Sequence, residues 1–213
     1  SIGMDSSINK LSDSAAESLS KHEGKQLILG HILEISEKAF EFLSKHRGEL
    51  LQLEFEELSS ANAETLLSYK GTLCLEVSET LSDKAAYLLS KHTGTLSIGG
   101  YALENFSDSK ADILSKHVGG CLELFLQENL SDNAAQSLSK YEGDLILSGC
   151  FGYNLDELSD NVAEALSNHK GNITFEDLAE ISDSAAEALS KYQGKINDMD
   201  PKEWIEEMRE TLN

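Results

Sequence analysis

The sequence predicts an α/β protein, a single right-handed solenoid in which eight helix-strand repeats place a parallel sheet on one face and short helices on the other. Three observations lead to this fold class. One motif recurs along nearly the whole chain, each copy joins a helical pattern to a period-two pattern, and 40 % of the 213 residues are hydrophobic. A helix and a strand this short cannot bury their apolar faces alone, so successive copies must stack on one another.

The recurring motif is anchored on a glycine that returns every 23, 24, 25 or 28 residues. A leucine precedes this glycine by five positions, and a serine that follows a large apolar residue precedes it by twelve. Differences in length between copies therefore fall after the glycine. The glycines are Gly24, Gly48, Gly71, Gly94, Gly119, Gly143, Gly171 and Gly194. The serines are Ser12, Ser36, Ser59, Ser82, Ser107, Ser131, Ser159 and Ser182.

The first part of each copy predicts a helix of about three turns, capped by the serine, whose hydroxyl can accept from a free amide. An aspartate usually follows, at the positive end of the helix dipole. A lysine three positions before the glycine, such as Lys45 or Lys116, is expected in the last turn, and the glycine suits a left-handed stop. Alanine and leucine, eight and five positions before the glycine, form the buried stripe, with Phe40 replacing one alanine.

The segment after each glycine predicts a short strand, because apolar residues alternate there, as at Leu51 and Leu53. In a parallel sheet these residues face the helices. The residue between them, and the one that follows, should point to the open face. These open-face positions are Ile28, Gln52, Glu54, Cys74, Glu76, Ser97, Glu123, Phe125, Ile146, Thr174 and Glu176.

The repeated unit, LxLxG...LSDxAAExLSKHxG, resembles a leucine-rich repeat in the short-helix version found in bacterial proteins. The resemblance covers residues 8–197 and implies a curved solenoid with a concave, strand-lined surface. The asparagine or cysteine that the family places at the strand exit is absent, and the slot holds residues such as His31, Phe55 and Gly100. The strand-exit turn should therefore differ from that of the family.

The two ends of the chain differ from the repeats. Residues 1–7 are expected to be a tag remnant and N-terminal lead-in, 8–199 the solenoid, and 200–213 a C-terminal capping helix. Asp200 is the expected N-cap, and Pro201 suits the first helical position. The apolar stripe of this helix comprises Trp204, Ile205, Met208 and Leu212.

The net charge of −21, from 38 acidic and 17 basic residues, repels phosphate backbones and anionic lipid surfaces. We therefore expect no nucleic acid and no membrane insertion, but a basic or mixed basic and apolar protein or peptide partner. Cys74, Cys121 and Cys150 lack CxxC spacing, which indicates neither a disulfide framework nor a zinc site. A monomer in a reducing compartment, the cytoplasm, is expected.

The tetrapeptide LSKH contains the residue types of a nucleophilic site, but it occurs four times, and tyrosine takes the histidine slot in three copies. Histidine and tyrosine share a flat ring with a hydrogen-bonding tip. A structural role is therefore favoured, in which the ring packs under the sheet and satisfies a free carbonyl at a helix end. A pH-sensitive ladder is the alternative, because imidazoles titrate near pH 6.5. The slot holds His22, His46, Tyr69, His92, His117, Tyr141, His169 and Tyr192.

Catalytic residues, if there are any, are expected at positions that depart from the repeated motif. His31 follows the first strand and Cys74 lies within the third, and we favour a surface role and an inert side chain over catalysis and a reactive thiol. The longest strand-exit loop, residues 148–158, carries Phe151 and Tyr153, for which core filling and partner contact stay equally open.

These patterns predict a non-catalytic protein-interaction scaffold that binds a protein or peptide on the concave sheet face and the strand-exit loops. An architectural repeat segment of a larger protein is the alternative, and an enzyme is a third possibility. No cofactor or metal is expected. The candidate binding residues are Gln52, Glu54, Cys74, Glu76, Ser97, Glu123, Phe125, Ile146, Thr174, Glu176, Phe151 and Tyr153.

Overall fold

The structure is a computed structural model that describes the backbone of residues 2–4, and residues 10–100, 103, 106–149, 155 and 157–211. The chain divides into two compact units. The first comprises residues 1–103 with 117–119, and the second comprises 104–116 with 120–213. The prediction of one solenoid domain over residues 8–199 stays a prediction.

In the first unit, helices and strands alternate along the chain, and neighbouring strands pair in parallel in chain order. The sequence does not predict the first of these strands, which lies beside the second. The strands are β1 (Ile2–Met4), β2 (Gln26–Ile32), β3 (Leu50–Phe55), β4 (Thr72–Val77) and β5 (Leu96–Gly100). The helices are α1 (Asp13–Ser20), α2 (Glu37–Leu43), α3 (Ser60–Leu66) and α4 (Asp83–Leu89).

The second unit has the same alternation. Its helices are α5 (Asp108–Leu114), α6 (Asp132–Leu138), α7 (Asp160–Leu166), α8 (Asp183–Leu189) and α9 (Pro201–Thr211). Its strands are β6 (Cys121–Leu126), β7 (Asp144–Gly149), β8 (Glu157–Leu158), β9 (Ile173–Phe175) and β10 (Glu180–Ile181). Strands β6, β7 and β9 are parallel neighbours in one sheet, and β8 pairs with β10 in parallel.

Helix α9 begins where the sequence predicts it, at Pro201. The Asp200 carboxylate accepts from the Lys202 amide at 2.9 Å, as expected of an N-cap. Trp204 and Ile205 are buried, and the Trp204 ring packs against Phe175 with 5.8 Å between centroids. This helix therefore covers apolar surface in the second unit.

The repeated serines cap helices α1 to α8 as predicted, and Ser82, for example, accepts from the Ala85 amide at 3.2 Å. The helices are shorter than predicted, however, with seven or eight residues, or about two turns. They end near the repeated leucine because the chain tightens there into i to i+3 hydrogen bonds, such as His92 N–H to Leu89 O at 2.9 Å. The predicted last-turn lysines therefore lie just beyond the helices, where Lys45 pairs with the exposed Glu41 at 2.7 Å.

The repeated glycines are not left-handed stops, which corrects the sequence prediction. Among the described residues, Gly100 is the glycine with a positive φ, and it stands at a strand exit. The repeated glycines are needed because backbones approach closely. A Cβ atom on Gly94 would overlap the carbonyl oxygen of Gly71, and one on Gly171 would overlap that of Gly143.

The core repeats from copy to copy. The alternating strand leucines and the helix alanines and leucines are buried as predicted, although Leu19 is partly exposed. Phe40, which replaces an alanine, packs edge-to-face on Phe55 with 5.4 Å between ring centroids. The helix and strand patterns of the sequence therefore meet on one apolar interior within each unit.

Candidate interaction surface

The open face of the first unit carries side chains in cross-strand rows. The strand register aligns Ile28, Gln52, Cys74 and Ser97 across β2 to β5. The first three are half-buried, as side chains at a sheet surface usually are, whereas Ser97 is only 1 % exposed. Ser97 therefore offers no accessible surface to a partner, although it occupies the predicted row.

A second row on this face aligns two acidic residues, Glu54 on β3 with Glu76 on β4. Gln52 donates to the Glu76 carboxylate at 3.1 Å. Burial raises the pKa of Glu76, and the negative charge of Glu54 raises it further, while the hydrogen bond from Gln52 opposes both effects. Like charges directly opposite each other on neighbouring strands do not stabilise a sheet, so this pair has no evident role in folding.

His31 belongs to this second row. It lies within β2 and not, as predicted, in the loop after that strand. The pairing register of β2 with β3 shifts between Leu29 and Ile32, which leaves a bulge in β2. The bulge brings the His31 Nδ1 within 3.3 Å of the Glu54 carboxylate. The sequence alone does not indicate this contact.

The open face of the second unit combines apolar and acidic side chains. Glu123 aligns with Ile146 and Thr174, whereas Phe125 aligns with Ser148, so the apolar side chains of Phe125 and Ile146 are diagonal neighbours. The Ser148 hydroxyl donates to the exposed Glu176 carboxylate at 2.9 Å. All the predicted open-face positions of this unit are at least partly exposed. They are Glu123, Phe125, Ile146, Thr174 and Glu176.

The two described cysteines are half-buried thiols. Burial raises the pKa of Cys121 to about 11, with further contributions from the charges of Asp144 and Glu123. Such a thiol is almost fully protonated near neutral pH and is a poor nucleophile. Cys150, Phe151 and Tyr153 lie outside the described residues.

The repeated rings of the first unit form a stack, here called the ring ladder, made of His22, His46, Tyr69 and His92. Successive ring centroids lie 6.5, 6.3 and 6.3 Å apart, with interplanar angles of 16° or less. Two of the tips bond to glycine carbonyls of the preceding copy, with Tyr69 donating to Gly48 at 3.0 Å and His92 donating to Gly71 at 2.9 Å, whereas Nε2 of His22 and of His46 has no hydrogen-bond partner among the described residues. The predicted carbonyl contact exists, but the carbonyl belongs to the repeated glycine and not to a helix end.

At His92, the hydrogen bond to the glycine carbonyl fixes which ring nitrogen carries the proton. His92 must donate through Nε2 to the Gly71 carbonyl, 2.9 Å away, so its neutral form carries no proton on Nδ1. That Nδ1 is buried and has no hydrogen-bond partner among the described residues. Burial lowers the pKa of His46, His92 and His169, which favours the neutral ring.

The other members of LSKH also have local structural contacts. The buried Ser90 hydroxyl donates to the Tyr87 carbonyl at 2.8 Å, and Ser44 makes the same bond to Glu41 at 3.0 Å. The lysine pairs with an acid four positions earlier in several copies. These contacts give the serine and the lysine of the tetrapeptide structural roles at the helix end.

Comparison with protein-family models and with curated proteins finds no match for this chain. The likeness to leucine-rich repeats therefore rests on the repeated residues alone. Within the described residues, no group of three or more histidine, cysteine or acidic side chains could hold a metal ion. None of the helices described is long and apolar enough to cross a membrane.

Proposed function

We propose that the protein is a non-catalytic interaction scaffold whose open sheet face binds a basic, partly apolar peptide or protein segment. The observation that carries this proposal is the pair of Glu54 and Glu76, aligned on neighbouring strands and half-buried beside Gln52. A lysine or arginine placed between two such carboxylates would relieve their repulsion and form charge-assisted hydrogen bonds.

The surroundings of this pair suit an extended segment. Ile28 and Cys74 lie in the adjacent row, where they supply half-buried surface that a partner's apolar side chain could cover. Binding energy at interfaces concentrates on a few central contacts, and a charge pair bordered by apolar surface has this character. The net negative charge of the whole chain would also raise the rate of association with a basic partner.

Titration with a defined peptide tests the proposal. A binder is first selected from a labelled library of seven-residue peptides that alternate basic and apolar residues, and its affinity is measured by fluorescence anisotropy. The double variant Glu54→Lys, Glu76→Lys should weaken binding at least a hundredfold, since it replaces attraction by repulsion. The matched control is Glu64→Lys, Glu164→Lys, which makes the same charge change at exposed positions in the middle of two helices.

Equal weakening by both double variants would assign the effect to net charge and overturn the open-face site. If no library member binds more tightly than a scrambled acidic peptide, the architectural interpretation replaces the scaffold. Circular dichroism of each variant shows whether the fold persists.

A further inference from the structure

The first unit contains a cavity apart from the open face. Its volume is about 910 Å³, and it opens where β2 and β3 end and helices α1, α2 and α3 begin. Ile32 and Phe55, the last residues of these strands, are almost fully buried in its wall, and Leu33 beside them is 42 % exposed. None of the aligned open-face residues lines this cavity. A cavity of this size and partly apolar lining suits a small ligand or a side chain of a partner.

The polar residue that distinguishes this cavity is Asn62, in the first turn of α3. The same position of the motif is alanine in five other copies, so the fold does not require an amide there. The alanines are Ala15, Ala39, Ala85, Ala134 and Ala185. Asn62 is only 9 % exposed, and its Oδ1 is buried with no hydrogen-bond partner among the described residues. Such an oxygen destabilises the folded protein unless a donor reaches it, so it points to a ligand that carries N–H groups.

The charge around the cavity is negative. Lys10 lines it but is already paired with Glu34 at 2.8 Å, and Asp13 accepts from the Ser36 hydroxyl at 2.5 Å. Glu56 and Glu57 also line it. In the part of the chain that the structure describes, no cation lies within ion-pair distance of Glu56 or Glu57. The cavity therefore combines an unsatisfied acceptor, uncompensated carboxylates and apolar walls.

We propose that this Asn62 cavity binds the guanidinium group of an arginine side chain within a peptide. A guanidinium is planar and weakly hydrated, so one of its faces can lie on the exposed Leu33 side chain while its edge donates several hydrogen bonds. The exposed carboxylate of Glu56 or Glu57 is one acceptor, and the buried Asn62 Oδ1 becomes the other when its side-chain amide turns toward the guanidinium. A lysine ammonium is compact and strongly hydrated, so it loses more on entering apolar walls.

The experiment is a titration of the ¹⁵N-labelled protein with three capped tripeptides, acetyl-Ala-Arg-Leu-amide and its lysine and citrulline counterparts. Citrulline keeps the shape of arginine but has no charge. The arginine peptide should shift the side-chain amide of Asn62 and the backbone amides of residues 55–62. We expect the lysine peptide to bind at least threefold more weakly and the citrulline peptide at least tenfold more weakly.

Two variants locate the site. Asn62→Ala should weaken binding of the arginine peptide at least tenfold and keep the fold, since alanine occupies this position in the copies named above. Glu56→Gln combined with Glu57→Gln should also weaken it, whereas Glu64→Gln, an exposed change on the same helix as Asn62, should not.

The outcomes are distinct from those for the open face. Equal binding of arginine and citrulline peptides, or unchanged binding by Asn62→Ala, overturns the guanidinium site. Shifts confined to the amides of Gln52, Cys74 and Glu76 would place the peptide on the open face, which overturns this proposal and leaves the scaffold function standing. Free arginine amide that binds as tightly as the tripeptide overturns the assignment to a peptide.

Discussion

The ring ladder and the open face of the first unit are both built from side chains that recur in successive copies, yet they vary in different ways. Three members of the ladder are histidines and one is a tyrosine, and the two tips at Tyr69 and His92 make the same bond to a glycine carbonyl. The aligned open-face row instead changes residue type on every strand, from Ile28 to Gln52 to Cys74. Packing restricts the ladder to flat rings with a polar tip, whereas the half-buried positions Ile28, Gln52 and Cys74 of the open face admit residues of different types.

The largest expected effect of breaking this repeated interior comes from a cavity in the core. Replacing Leu89 by alanine should lower the free energy of unfolding by about 2–5 kcal/mol, because Leu89 is completely buried. Val118, which is 58 % exposed, is the control, and Val118→Ala should change stability by less than about 0.5 kcal/mol. Urea denaturation measures both, and a loss below about 1 kcal/mol for Leu89→Ala would contradict its place in the core.

The second largest expected effect on stability distinguishes two adjacent glycines, Gly119 and Gly120. A Cβ atom on Gly119 would overlap the Gly94 carbonyl oxygen, whereas one on Gly120 would meet no atom within 4 Å. We expect Gly119→Ala to cost about 1–3 kcal/mol, since the backbone has to move, and Gly120→Ala to be neutral or slightly stabilising. Thermal unfolding compares the pair. Equal melting temperatures would show that the close approach is not required.

Acid should weaken the ring ladder. Because burial lowers the pKa of His46 and His92 in the folded protein, the unfolded chain binds more protons below about pH 6.5. The two neutral rings therefore contribute fully to the free energy of unfolding above that pH. This contribution is lost as the pH falls toward the folded-state pKa, by up to about 1.4 kcal/mol per pH unit for each ring.

The variant His92→Tyr tests this assignment. Tyrosine keeps the stacked ring and can donate to the Gly71 carbonyl, as Tyr69 does to Gly48, but it does not titrate in this range. Urea denaturation at about pH 7 and pH 5.5 should show a smaller acid loss for the variant than for the parent protein. An identical loss in both would exclude His92 as a source of the acid sensitivity.

The smallest expected effect concerns the open face. Glu76→Gln removes the repulsion from Glu54 and keeps an acceptor for Gln52, so it should stabilise the protein by about 0.2–1 kcal/mol. The gain should disappear in a Glu54→Gln background, which a double-mutant cycle measures. A loss of stability would mean that the charge of Glu76 supports the fold, which would weaken the case for a binding role.

Local chemistry explains what the sequence predicts correctly. A serine cap such as Ser82 and an alternating strand such as Leu51 and Leu53 depend on neighbours within one copy, so pattern identifies them. The role of Gly94 depends on the preceding copy, and the contact between Phe40 and Phe55 depends on how helix α2 packs on strand β3. The sequence pattern therefore misassigns the glycine and does not indicate the aromatic contact.

The candidate sites divide in the same way. Strand alternation places Gln52 and Glu54 on the open face, but the burial of Ser97 depends on what covers it, and the contact of His31 with Glu54 depends on a bulge. Asn62 could have been noticed, because it interrupts a column of alanines. Its unsatisfied oxygen becomes visible only once the helix is packed.

The bond between a ring and the glycine of the preceding copy has a consequence for how such a gene can change. Tyr69 and His92 each reach back 21 residues, to Gly48 and Gly71, and His117 reaches back 23 residues to Gly94 across a longer loop, so the contact joins adjacent copies that differ in loop length. Excising residues 71–93 would join Lys70 to Gly94 and recreate the same junction. Deleting or duplicating one copy at this junction would therefore keep a ring beside a repeated glycine, so the protein could shorten or lengthen without a new packing solution.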